Sequence, residues 1–328
     1  MSLKGIGRNT YKILGFGISI ICLYFAFRGI EWIQVAVTFR KANFFCLILS
    51  ILFQLLSPAI AGFRWNKVIN LPEVSWASAS VSVMIGLMVN NILPGRMGEF
   101  VRPILLGQET KKSRAYLFAT VVIDRVSDLL VLVILALFSF GMFPLVAWAR
   151  QLSIVGGAAL IVAFTAIGLF SYSNTGSKIE RIAYQLSPAR FHNKMADSFQ
   201  KLRLGFRSIG SIQRGIAVFL LSWSLWTAAF FSLYYALDSF GLYVHLWGMI
   251  LLLAVLNLGS LIPSSPGYAG TYHLLGIAML STFAIGKAEA LSFILVFHAV
   301  WYVPQTLLGL ILLTKKNLSF WQLVKTQR

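Results

Sequence analysis

The 328 residues are 58% apolar and only 12% charged, with a mean hydropathy of +0.79 and 28 Lys and Arg against 10 Asp and Glu. An ordinary soluble domain is about 45–50% apolar and about 25% charged, so a chain of this length cannot hide that much apolar surface in a water-facing fold. The composition excludes an ordinary soluble enzyme and predicts an all-α, polytopic membrane helix bundle in one integral domain, 1–328.

In chain order, a basic segment with Lys4, Arg8 and Lys12 precedes the first apolar run, 13–30. No small-residue cleavage site follows that run, so it reads as a membrane anchor rather than a signal peptide. Further apolar runs cover 42–63, 76–93, 116–143, 152–172, 216–237, 246–262, 268–285 and 291–314. Each is long enough to cross or deeply enter a hydrocarbon layer of about 30 Å, and the two-residue alternation of a membrane barrel is absent. Cys22 and Cys46 lie inside apolar runs with no metal-ligand or redox spacing. The polar stretch 173–214 carries Ser187-Pro188 and eight basic residues, which predicts a cytoplasmic connector, either amphipathic and near anionic headgroups or simply solvated.

The basic residues also set an orientation. If both termini are cytoplasmic, 76–93 is one arm of a hairpin returning to the cytoplasm and 246–285 is a hairpin entering from the other face. In that arrangement 22 of the 28 Lys and Arg fall on the cytoplasmic side. Arg28, Arg40, Lys41, Arg150 and Lys287 fall outside and Arg125 lies within a helix, a strong positive-inside pattern. Treating both hairpins as full crossings restores the same ends, so charge alone does not choose between the two.

A short pattern occurs twice, each time after an apolar run: P-G-R-M-G at 94–98 and P-G-Y-A-G at 266–270. Pro94, Gly95 and Gly98, then Pro266, Gly267 and Gly270, break helices at membrane depth, where freed backbone groups must be buried or line a cavity. The surrounding units, 76–143 and 247–314, are each 68 residues long and read as an inverted internal repeat of two re-entrant helical hairpins. Two unrelated Pro-Gly turns would leave the same local pattern.

Beside the first break stand Arg96, Glu99 and Arg102, and in the following helix Asp124, Arg125 and Asp128. An ionisable side chain at the bilayer centre costs at least about 2.5–3.5 kcal/mol, so these groups face the interior and pair. Asp124 and Asp128 are one helical turn apart and Arg125 lies three before Asp128, so this side of the helix can hold a local ion pair; Arg125 points about 100° away from Asp124 and is free to meet Glu99 or an anion. Arg96 and Arg125 suit a phosphate, because the planar guanidinium fork matches phosphate oxygens. The same charges would also serve as a purely structural network. Near the second break, Tyr272, His273 and His298 are candidates for ligand contact or, for the imidazoles, proton coupling. No third ligand beside the two His supports a metal site, and no cofactor is expected.

The runs N-N-I-L-P-G-R-M-G-E-F-V-R-P at 90–103, V-I-D-R-V-S-D-L-L at 122–130 and P-S-S-P-G-Y-A-G-T-Y-H at 263–273 resemble the flippase-like membrane family, also described as the lysylphosphatidylglycerol synthase transmembrane region. The resemblance covers roughly 13–314. That family includes the flippase part of the bacterial multiple peptide resistance factor and archaeal members linked to lipid-carried sugars. The resemblance implies a lipid-translocating module with two re-entrant hairpins, its acidic and Arg positions matched here by Glu99, Arg102 and Arg125. In the family resembled, Glu often stands where this chain has His273 and Arg where it has His298, so the symmetric Glu/Arg pair is missing, which argues against carrying over an aminoacyl-lipid substrate directly. The soluble aminoacyl transferase domain of the resistance factor is absent from this sequence.

The leading expectation is therefore a flippase or transporter, not an enzyme, for an anionic membrane lipid: a phospholipid or polyprenyl phosphate in a prokaryotic plasma membrane. A second reading is a membrane-embedded transferase on a lipid-linked sugar, for which only Asp124 and Asp128 offer carboxylates. A third is an accessory subunit partnered with an envelope-lipid or glycan biosynthesis enzyme. Nucleic-acid binding is not supported, because the basic residues are dispersed among loops without an aromatic stacking platform.

Overall fold

A computed structural model describes residues 20–29, 32–93, 96–142, 147–172, 178–182, 185, 192–260 and 265–316. Among them the regular structure is helical, with no strand. The helices are α1 (Ile20–Phe27), α2 (Trp32–Arg40), α3 (Phe44–Ile69), α4 (Trp76–Ile92), α5 (Gly98–Thr110) and α6 (Arg114–Met142). There follow α7 (Ala147–Tyr172), α8 (His192–Phe206), α9 (Ile212–Ser239), α10 (Leu246–Gly259), α11 (Thr271–Ser281) and α12 (Lys287–Lys315). Four of these, α3, α7, α9 and α12, contain stretches long and apolar enough to cross a membrane. With its 29 residues α6 is also long enough, at about 43 Å, but it carries Asp124, Arg125 and Asp128 in its first half.

The ends follow from local chemistry. Asn43 caps α3, its Oδ1 accepting from the amides of Phe45 (3.0 Å) and Cys46 (3.4 Å), and left-handed Asn70 stops it. Ser75 caps α4 by accepting from the Ser78 amide at 3.0 Å. The apolar run 42–63 ends before this helix does, because α3 continues through Arg64 to Ile69.

A polar seam joins α3 to the antiparallel α9. The Asn43 amide donates to the Ser239 carbonyl (2.7 Å), Ser50 Oγ to the Ser232 carbonyl (2.7 Å) and Ser57 Oγ to the Leu225 carbonyl (3.2 Å). Arg64, seven residues further on, donates to Ser222 Oγ at 2.8 Å. Positions 43, 50, 57 and 64 thus recur every seven residues along one contact, where small Ser side chains let the two backbones approach.

Two antiparallel helical hairpins approach each other beside this pair. In the first, Gly98 stands against Gly86 near the turn and Ser78 Oγ donates to Glu109 (2.7 Å) at the open end, so α5 runs back along α4. A Cβ at Gly98 would lie 1.8 Å from the Gly86 carbonyl oxygen, which is why the position takes no side chain. In the second, Gly259 faces Leu275 near the turn and Gly248 faces Phe283 at the open end, so α11 runs back along α10. Pro94 and Gly95 lie outside the described residues, whereas Gly98, Pro266, Gly267 and Gly270 fall where the chain turns. Pro266–Tyr268 forms a short 3₁₀ turn with Gly267 at φ +66°, and Gly270 adopts φ +92°.

Helix α12 measures how the hairpins face each other. Its residues meet, in order, the second hairpin's arm (Ile294 against Gly276), the turns (Tyr302 and Thr306 against Asn91), the first hairpin's arm (Gly309 against Met88) and its open end (Lys316 paired with Glu109). The open ends therefore lie toward opposite ends of α12 and the turns meet between them.

Part of the basic connector is helical and packed. Gly205 of α8 lies against the Tyr116 carbonyl of α6, and Arg203 and Arg207 donate to the carbonyls of Phe170 and Ser171 at the end of α7. These two Arg satisfy helix C-terminal carbonyls, so they are not simply solvated charges. Ser187 and Pro188 lie outside the described residues.

Candidate functional site

The charges expected near the first break converge, together with Arg64 from the end of α3, and three of the four Arg (Arg64, Arg96 and Arg102) are among the 22 counted to the cytoplasmic side. Arg64 of α3 is fully buried and donates through Nε to Asp124 Oδ1 (2.8 Å) and through Nη1 to Asp128. Arg102 of α5 donates through Nη2 to Asp124 Oδ2 (3.0 Å) and through Nη1 to Glu99 (3.2 Å), and its guanidinium lies 4.4 Å from the centre of the Trp65 ring. Trp65 is itself held by Thr120, Nε1 to Oγ1 3.1 Å.

Arg125 does not point away from Asp124 as a helical wheel predicts. Its Nη2 donates to Asp124 Oδ2 (2.9 Å), while Nη1 lies 3.2 Å from Asp128 Oδ2 and Nε 3.6 Å from Glu99 Oε2. The side chain is long enough to fold back across one residue of helix, and the three carboxylates of Glu99, Asp124 and Asp128 surround its guanidinium. Asp124 thereby accepts from three guanidinium groups with no exposed side-chain surface of its own. Glu99 and Asp128 keep 16% and 14% of their surface and Arg125 keeps 32%, so these three form the accessible side of the network and Arg64, Arg102 and Asp124 the buried side.

The accessible side opens on a cavity of about 220 Å³. Helix α3 contributes Gln54, Ser57 and Pro58 to its wall, α6 Arg125 and Asp128, and α9 Trp226. From the hairpins come Asn90, Arg96, Glu99, Ser260, Tyr268 and Tyr272, and from α12 Trp301 and Gln305. Asn90 shapes the first turn, its Oδ1 accepting from the Gly98 amide (2.7 Å) and its Nδ2 lying 3.3 Å from Glu99.

Arg96 differs from the other three Arg. It sits at the first turn with φ +52°, a left-handed conformation that side chains rarely adopt. From there it crosses to the second hairpin, where Nη2 donates to Ser260 Oγ (2.6 Å) and the guanidinium lies 5.8 Å from the Tyr268 ring centre. No carboxylate lies within ion-pair distance of it among the described residues, and its Nε is buried without a hydrogen-bond partner.

His273 and His298 are brought together, but neither lines this cavity. His273 Nδ1 accepts from the Gly270 amide (3.3 Å), which leaves its Nε2 as the N–H that faces His298 Nδ1 (3.3 Å). His298 Nε2 then donates to the Gly267 carbonyl at 2.9 Å. The pair is satisfied with both rings neutral, and it ties α12 and the start of α11 to the second turn. Tyr272 stacks beside it, 5.1 Å from the His298 ring and 5.6 Å from Trp301, and does reach the cavity.

Sequence reasoning missed Arg64, Gln54, Gln305 and Trp226. Arg64 had a signal: two acids on one face of α6 beside a single local Arg require another cation. The two Gln and the Trp had none, since uncharged residues in apolar runs carry no mark of a cavity.

Residues 12–309 match the family described as the lysylphosphatidylglycerol synthase TM region, a span that includes every cavity-lining residue. The chain belongs to this family. A UPF0104 membrane protein of Pyrococcus horikoshii is 24% identical over 94% of this chain and 98% of its own length. Another from Methanocaldococcus jannaschii is 25% identical over 81% of this chain and 83% of its own. A third, from Methanothermobacter thermautotrophicus, is 23% identical over 76% and 77%. No solved structure gives a significant match. Membership of the lysylphosphatidylglycerol synthase TM family agrees with the helix lengths and composition: this is a multi-pass integral membrane protein.

Proposed function

We propose that this protein moves the headgroup of an anionic lipid, a phospholipid or a polyprenyl phosphate, across a prokaryotic plasma membrane. The observation that carries the reading is Arg96: a guanidinium without a carboxylate partner, held in a cavity where two hairpin turns meet at the depth of apolar helices. A phosphate there would complete the Arg96 fork, and Arg125, the other Arg on the cavity wall, lowers the cost of bringing an anion out of water, while Glu99 and Asp128 are already paired with Arg.

In this reading the hairpins are re-entrant and related as an inverted repeat over 76–143 and 247–314. Arms of 17, 13, 14 and 11 residues reach only about 16–26 Å, less than the hydrocarbon thickness of about 30 Å. Each pair leads into a 29-residue helix, and the open ends lie toward opposite ends of α12, as entry from opposite faces requires. With Arg64, Arg96 and Arg102 assigned to the site, 19 basic residues still fall on the proposed cytoplasmic side, together with both termini, against five outside. The transferase reading is weaker, because Asp124 and Asp128 are both held by Arg and neither is free as a base.

The test is lipid analysis of the protein extracted in native-lipid discs, with wild type compared to Arg96→Gln at equal folded yield. One phosphate-bearing lipid is expected to be enriched over the bulk membrane and lost in the variant. Bulk lipids retained alike by both proteins would end this reading. They would favour an accessory role beside an envelope-lipid or glycan enzyme.

A further inference from the structure

The charged wall of the cavity accounts for a phosphate but not for the rest of the lining. Gln54 on α3 and Gln305 on α12 face the cavity, and neither side chain makes a hydrogen bond within the described residues, although Gln305 is only 6% exposed. Trp226 Nε1 on α9 is buried without a partner. Pro58 has no N–H to give the Gln54 carbonyl one turn before it, which leaves a backbone acceptor at the same wall. Buried polar groups are almost always paired in folded proteins, so the unpaired Trp226 N–H and the unbonded carboxamide of buried Gln305 call for a ligand, beside the half-buried carboxamide of Gln54.

Their chemistry says which kind. Carboxamides offer a donor and an acceptor each, the indole offers a donor and the carbonyl an acceptor, a mixture that suits hydroxyl groups, which both give and accept. Between them stand aromatic faces: Tyr268 and Tyr272 lie with ring centres 6.3 and 5.6 Å from that of Trp301. Flat apolar walls beside hydroxyl partners fit a ring that has C–H faces and an O–H rim.

The charge balance narrows the link to the lipid. Arg64, Arg96, Arg102 and Arg125 stand against Glu99, Asp124 and Asp128, which leaves one positive charge over. A phosphomonoester carries about −1.5 to −2 near neutral pH, whereas a diester has lost the second ionisation and carries a single charge. A zwitterionic headgroup brings no net charge. The volume of about 220 Å³ is below the roughly 300–1,000 Å³ of sites for drug-sized ligands, enough for a small headgroup and not for its tails.

Granting the lipid-headgroup reading above, we infer that the headgroup is an uncharged sugar or cyclitol ring joined to its lipid through a phosphodiester. The diester meets Arg96, and the ring lies against Tyr272 and Trp301 with its hydroxyls toward Gln305, Gln54 and Trp226.

The test uses the full chain in phosphatidylcholine discs doped in turn with phosphatidylinositol, a polyprenyl phosphoglucose, phosphatidylglycerol and phosphatidic acid, with retained lipid counted by mass spectrometry. Wild type is expected to retain at least one of the two ring-bearing diesters about fivefold or more above both other anionic lipids, the worth of one net hydrogen bond. Which of the two is enriched tells a glycerolipid from a polyprenyl source. Gln305→Leu and Trp226→Phe are each expected to lower that preference toward the phosphatidylglycerol level without reducing phosphatidylglycerol itself. Arg96→Gln is expected to lower all the anionic lipids together. A wild type that retains the ring-bearing diesters no better than phosphatidylglycerol overturns the inference without any variant, as does a preference unchanged in both Gln305→Leu and Trp226→Phe. If Arg96→Gln leaves all retention intact, the headgroup reading falls first. If Arg96 matters and the ring preference alone is missing, only the inference falls.

Discussion

The two hairpins share a backbone device and differ in what holds it. The first turn is fastened by charge: Arg102 ties α5 to Asp124 of α6 and Glu99 ties it to Arg125, and Asn90 closes the loop on Gly98. The second is fastened by neutral groups, through the Gly270, His273, His298 and Gly267 relay and the rings of Tyr268, Tyr272 and Trp301. Arg96 is where the two meet, a cation from the charged turn resting on the aromatic one. The comparison teaches that similar breaks in two halves of a membrane chain need not carry similar chemistry. One half can bring the charge and the other a surface for the uncharged part of a ligand.

Removing the acid at the centre of the first hairpin's fastening should break it most severely. Asp124→Ala strips a shared partner from Arg64, Arg102 and Arg125, two of them buried, and breaking a buried ion pair from one side costs about 3–5 kcal/mol. The expected outcome is loss of most monodisperse protein on size-exclusion chromatography and a collapse of the thermal midpoint in detergent. A variant with the wild-type midpoint would mean that the network is not what positions α5 against α6.

The glycines sharpen the contrast by steric means. At Gly98 an added Cβ meets a backbone oxygen at 1.8 Å, and backbone cannot turn aside. At Gly259 it meets Leu275 Cδ1 at 2.1 Å, the end of a side chain that can change rotamer. Gly98→Ala should therefore reach or exceed the upper end of the about 1–3 kcal/mol range for overpacking, and Gly259→Ala should sit at its lower end. Thermal midpoints of the two variants decide it. Equal losses would show that the second hairpin's arms are as tightly set as the first's.

Much of this contrast is legible in the amino-acid sequence, and the rest is hidden for identifiable reasons. Apolar runs placed most helices because a bilayer imposes length, and the run 76–93 became Trp76–Ile92 almost unchanged. The arm Gly98–Thr110 was hidden because Glu99 and Arg102 interrupt its apolar character, although both are paired. Arg64 is not marked as a site residue in the sequence because it follows the end of an apolar run, although the helix continues past it and its acid lies 60 residues later. Arg125 meets Glu99 and Asp128 as its position allows, and only its bond to Asp124 is hidden, because a helical wheel treats a long side chain as if it ended at Cβ. The two His were recognised as belonging near the second turn, but a bond between positions 25 apart leaves no periodic trace.

That bond provides the finest test of the comparison. His298→Phe keeps a ring among Tyr272, Trp301 and Tyr302 but leaves the Gly267 carbonyl and the His273 N–H without partners, and His273→Phe strands the Gly270 amide and His298 Nδ1. Each single change should cost about 1–3 kcal/mol, the penalty of leaving buried polar groups unsatisfied. The double variant has no imidazole left to strand, so it should be more stable than the sum of the singles predicts by about 1 kcal/mol. Additive losses in a double-mutant cycle of unfolding free energies would mean that the imidazoles do not bond to each other. In that case the second turn would be held by ring packing alone, and the two hairpins would differ even more than the structure shows.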